Sequence, residues 1–182
     1  MTLREVRGMK KCKRFFCCWL TILGFSQSGY GDEKGQNFRV FVPKRVAVHA
    51  PVDEVVITHD ESDSNQAFPP QTWSVSGNSS LGIVVRFSTL DSFVHALDPS
   101  VKRNVQLGLN LKHATGPATW LVSQATDKSD FQLGKVMTVV EAESDDVGNA
   151  EFDLRVAFVT ESFGSFATGD YQLSVIGTIS EK

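Results

Sequence analysis

The stretch Leu107-Gly108-Leu109-Asn110-Leu111-Lys112 sets each apolar residue two positions from the next, with Gly, Asn and Lys between them. A period of two puts one set of side chains on the core face of a β-strand and the other in solvent. Working outward, the same alternation returns in Phe152, Leu154, Val156 and Phe158, set around Asp153, Arg155 and Ala157, and in Ile83, Val85 and Phe87. Shorter units carry it at Phe38–Val42, Val46 and Val48, Val55 and Ile57, Trp73 and Val75, Trp120 and Val122, and from Tyr171 to Ile179. Between Val136 and Ala142 either residue set can point inward. Turn residues separate the units: Pro43, Pro51, Pro69-Pro70, Gly77-Asn78, Asp98-Pro99, Gly116-Pro117, Asp146–Asn149 and Gly169-Asp170. No long polar window repeats its apolar residues at three and four, so no long amphipathic helix is expected. About ten short, evenly spaced strands predict an all-β fold, a two-sheet antiparallel β-sandwich of immunoglobulin-like type. Val84–Thr89 and Arg155–Thr160 echo each other, each followed by an acidic-Ser-Phe corner. Convergence on a similar corner explains this more simply than a repeat.

The first 31 residues are of a different kind. After Met9 come Lys10, Lys11, Lys13 and Arg14, then an apolar run from Phe15 to Phe25, then small polar residues through Gly31. A basic head, an apolar middle and a small-residue zone make the pattern of a cleavable export signal. Eleven residues is about half of what a membrane-spanning helix requires. Residues 1–31 are therefore expected to be a signal peptide, with Met9 as an alternative start and cleavage after Ser28 or Gly31. Residues 32–182 are expected to form a single β-sandwich domain. A buried N-terminal helix is the competing reading. Export places the protein in the periplasm, on the cell surface or outside the cell.

Cysteine and charge divide at the same point. Cys12, Cys17 and Cys18 all lie in the leader, so the remainder carries no thiol for catalysis, disulfide exchange or zinc. A domain of about 150 residues buries enough surface to fold without such staples. From Asp32 onward 12 basic residues face 20 acidic ones. That balance repels phosphate backbones and argues against nucleic acid as a partner.

The residues that can carry chemistry are few. Asp60, Glu61 and Asp63, in a polar loop through Gln66, offer oxygen ligands to calcium, but lack the Gly and distal Glu of an EF-hand. A solvated loop is the simpler reading, and Asp145-Asp146 reads as a turn in the same way. His49, His59, His95 and His113 have no metal-site spacing. Trp73 and Trp120 would stack on sugar rings if exposed, yet each alternates with a Val two residues on, as core residues do. Asn78-Ser79-Ser80 fits the glycosylation acceptor pattern. No nucleophile elbow or phosphate-binding loop occurs. The expectation is a non-enzymatic exported protein of structural or interaction type, an adhesion or assembly subunit, with no catalytic residue, cofactor or metal. Its partner is a protein or cell surface, or a second copy paired through the near-terminal strands Phe38–Val42 and Tyr171–Ile179. The rivals are a carbohydrate-binding module using Trp73 or Trp120, and a small secreted hydrolase.

Overall fold

Residues 36–182, which the computed structural model describes, fold into thirteen strands and one turn of 3₁₀ helix. The expected leader and its junction at residue 32 lie outside the described residues. In chain order the strands are β1 (Val46–His49), β2 (Gln66–Ala67), β3 (Gln71–Gly77), β4 (Ile83–Thr89), β5 (Phe93–His95), β6 (Lys102–Arg103) and β7 (Val105–Thr115). They continue as β8 (Trp120–Gln124), β9 (Thr126–Lys128), β10 (Val139–Ser144), β11 (Gly148–Phe158), β12 (Tyr171–Gln172) and β13 (Val175–Glu181). Every pairing between them is antiparallel. Phe41–Lys182 forms one compact unit.

The strands make open sheets, not a barrel. A six-stranded sheet runs β1-β3-β11-β7-β9 with β2 added against β11, and a four-stranded sheet runs β13-β4-β10-β8. Their apolar sets meet in one core. Val75, Leu107, Leu109, Phe152 and Leu154 from the first sheet lie in the same buried cluster as Ile83, Val85, Phe87, Val140 and Ala142 from the second. Edge-to-face aromatic pairs bridge the layers, Trp73 on Phe87 at 5.1 Å and Trp120 on Phe152 at 5.5 Å. The long β7–β11 ladder, from Val105↔Phe158 to Thr115↔Asn149, anchors the larger sheet.

Three expectations need correction. The two sheets are joined by a third, three-stranded one of order β12-β5-β6. Its strands β5 and β6 are too short for alternation to register, and its β12 is the front of the expected Tyr171–Ile179 strand, which breaks at Leu173-Ser174 and continues as β13 in the four-stranded sheet. Phe38–Val42 forms no strand, although it alternates, and neither do Val55–Ile57. Alternation supplies an apolar face, but a strand also needs main-chain pairing, and neither segment is paired with a strand among the described residues. In the ambiguous segment Val140 and Ala142 turn inward. The echoed corners differ: Phe93 is buried while Phe163 is exposed, and β4 and β11 belong to different sheets.

Candidate functional site

Strand β7 is where the larger sheet stops being covered. For its first half β7 has neighbours on both sides, β11 on one and β9 on the other, the latter only at Gln106, Leu107 and Gly108. A last bond runs from the Leu109 N–H to the Ala125 carbonyl, 2.8 Å. The chain from Trp120 to Lys128 crosses between layers, with β8 in the small sheet and β9 in the large one. Having crossed, it leaves Asn110–Thr115 as an edge with no further strand paired to it among the described residues. Backbone groups on such an edge are a ready template for another strand.

The faces of this half of β7 differ in chemistry. Leu111 lies opposite the fully buried Phe152, and Ala114 opposite the buried Ala150. Partners directly opposite in a ladder share a face, so Leu111 and Ala114 point toward the core layer. Both are nevertheless exposed, Leu111 at 38%. The core is thus open along a seam beside β7. Lys112 is the extra residue of a bulge, because the pairing steps from Leu111↔Phe152 to His113↔Glu151. Its ammonium reaches across the outer face to the Thr72 hydroxyl at 2.9 Å and the Asp153 carboxylate at 3.5 Å. The charge that commonly guards a sheet edge is therefore turned away from it.

On the outer face, register assembles a polar row that sequence reading missed. His49 pairs with Ser74, Ser74 with Glu151, and Glu151 with His113, across four strands. The small side chains of Ser74 and Ser76, between His49 on one side and Glu151 and His113 on the other, leave a trough of about 380 Å³. A second hollow of about 410 Å³, lined by Arg45, Asn78 and Pro117 among others, adjoins it at Ser76 and Asn149. These groups can exchange hydrogen bonds with a polar ligand. Residues 49, 74, 113 and 151 are too far apart in the chain for any spacing rule to join them. Among the described residues no three His, Cys, Asp or Glu side chains converge as a metal site.

The sequence-derived candidates fall elsewhere. Trp120 is 9% exposed, under Phe152 in the core, and Trp73 is half-buried against Phe87. Asp60, Glu61 and Asp63 do not turn toward a common point. The Asp60 carboxylate accepts bonds from the Ser62 N–H, the Ser62 hydroxyl and the Gln66 amide. The Ser62 bonds above all hold it below the usual carboxylate range. Asp63 instead accepts the Phe163 N–H at 2.7 Å, tying its loop to the one after β11. The Asn78 side chain accepts the Arg45 N–H and donates to the Pro43 carbonyl, so the glycosylation-type asparagine clamps the entry to β1.

Two histidines have structural work. His59 Nδ1 accepts the Glu61 N–H, Nε2 lies 3.0 Å from the Thr160 hydroxyl, and the ring stacks on Phe163. His95 Nδ1 faces the N–H groups of Leu97 and Asp98, and Nε2 the Thr168 carbonyl. Nearby, the buried Arg103 guanidinium lies 4.7 Å over the Phe166 ring and bonds the Thr160 carbonyl. These contacts join loops to each other. No known family pattern matches the chain, and no curated protein aligns with it.

Proposed function

We propose that the protein is an exported, non-enzymatic β-sandwich of immunoglobulin-like layering that works by binding another macromolecule, as a structural or adhesion-type subunit. The observation that carries this reading is the free edge of β7 with the half-open core seam beside it. An edge of that kind offers main-chain hydrogen bonds and side-chain pockets together, the basis of strand-addition recognition. The basic, apolar and small-residue layout of the first 31 residues supports export, and the thiol-free remainder is compatible with an oxidising exterior. On this reading residues 32–182 act as one domain in the periplasm, on the surface or outside the cell. Fractionating the producing cells and sequencing the N-terminus tests it. A chain recovered outside the cytoplasm that begins between Gly29 and Asp32 is expected; an intact Met1 or Met9 terminus in the cytoplasm would overturn export.

A second reading, a carbohydrate-binding protein, is favoured by the polar trough instead of the core-packed indoles. Its test is glycan binding by the purified protein, with His113→Ala and Glu151→Ala expected to weaken it. Binding unaffected by either change would place the sugar site elsewhere.

A further inference from the structure

Four large apolar side chains near the start of the described chain have no cover: Phe38 is 85% exposed, Val40 86%, Phe41 78% and Val42 73%. Single exposed apolar residues are ordinary, but a contiguous run of them marks a contact surface. This run has the alternation of a strand and pairs with no strand among the described residues. The fold also contains its complement, an edge at Asn110–Thr115 whose core-facing Leu111 and Ala114 are exposed, with no strand paired on the side away from β11 among the described residues.

We propose that Phe38–Val42 of one copy adds as a strand to the free edge of β7 in a second copy, setting alternate apolar side chains into the open seam over Leu111 and Ala114. The proposal rests on the interaction reading above and names its partner as the same chain.

Chain geometry selects a second copy over the chain's own edge. Strand β1 lies on the far side of the sheet, beyond β3 and β11 from β7. A strand added outside β7 sits four spacings from β1, roughly 19 Å at about 4.8 Å each. Val42 precedes the start of β1 by four residues, which span at most about 14 Å when extended. Asn78 shortens the reach further by gripping the Pro43 carbonyl and the Arg45 N–H at 2.9 and 2.6 Å. The contact is therefore heterologous, an arm of one copy on an edge of another, and grows into rings or filaments unless two copies exchange arms.

The test uses the protein purified as its producing cells leave it, with mass measured by light scattering across a concentration series. Wild type is expected to show species of two or more chains at high concentration. Val40→Asp, which spoils the arm, and Leu111→Lys, which spoils the edge, are each expected to lose them. Both positions are exposed, so circular dichroism and thermal midpoint should stay close to wild type; Ala114→Lys is the second edge variant should Leu111→Lys fold poorly. Mixing the arm variant with the edge variant is expected to restore a one-to-one pair, because each supplies the part that the other lacks. A wild type that stays monomeric overturns the pairing and leaves binding to a different partner intact. Assembly that survives both variants, or a mixture that stays monomeric while wild type associates, overturns it equally.

Discussion

Asp127 shows what a single carboxylate does here. It accepts the Lys128 N–H and the Val139 N–H, each at 2.9 Å, and pairs with Lys135, so one side chain joins β9, the loop after the 3₁₀ turn (Phe131–Leu133) and β10. Burial pushes its pKa up; the bonds from Lys135, Val139 and Lys128 outweigh that and hold it below the ordinary carboxylate value. Asp60 and Asp98 are lowered chiefly by Ser62 and Ser100, and Asp145 by the Thr119 N–H. A carboxyl with a lowered folded-state pKa stabilises the fold above its unfolded value, about 3.9, and that contribution is lost as pH falls through the folded value. Urea midpoints are accordingly expected to be flat from neutrality to about pH 5 and to drop below about pH 4. Asp127→Asn should shrink that acid-induced drop and lower stability at pH 7 by about 1–3 kcal/mol, the cost of a lost charge-assisted bond. Trp120 offers a second residue-level test. Its indole N–H is buried with no partner among the described residues, so Trp120→Phe removes an unsatisfied donor along with some contact area. A cost under about 1.5 kcal/mol is expected for Phe and about 3–5 kcal/mol for Ala, measured by chemical denaturation.

At the scale of elements, legibility followed length. The long strands β4, β7 and β11 stood out in the sequence because seven to eleven residues give alternation room to repeat. Strands β2, β5, β6 and β9, of two or three residues, did not, since their pairing comes from neighbours already in place, and the single alternating unit Tyr171–Ile179 gave no sign that it divides between two sheets as β12 and β13. The Val two residues beyond each tryptophan marks it as a core residue, and Trp120 packs there. The row His49-Ser74-Glu151-His113 was invisible because only strand register creates it. Phe38–Val42 shows the reverse case, a segment with strand pattern and no strand partner. Gly82 is a position where backbone geometry outranks pattern. It holds φ at 81°, and a Cβ there would come within 2.0 Å of the Ser144 carbonyl oxygen. Gly82→Ala is thus expected to loosen the Gly82–Ile83 start of β4 against β10, costing more than the roughly 1 kcal/mol typical of such a change in open space. Faster amide exchange at Ile83 and Ser144 would locate the damage; unchanged exchange and stability would contradict it.

For the whole molecule, the two larger sheets share a core whose two sides differ. At the β1–β13 side the Lys44–Glu181 pair spans from the chain entering β1 to β13, the edge strand of the small sheet. At the β7–β8 side the crossing of Trp120–Lys128 leaves the seam. Function, on the account proposed, follows from that asymmetry: the unsatisfied side binds, and the chain carries an exposed apolar segment, Phe38–Val42, suited to it. Amide hydrogen exchange at low and high protein concentration tests this most directly. The account predicts that Phe38–Val42, together with the amides of Asn110–Thr115 facing away from β11, exchanges freely when dilute and becomes protected in step as concentration rises, the rest of the molecule staying constant. Protection of the β7 edge already present in dilute solution, or none gained on concentration, would contradict it.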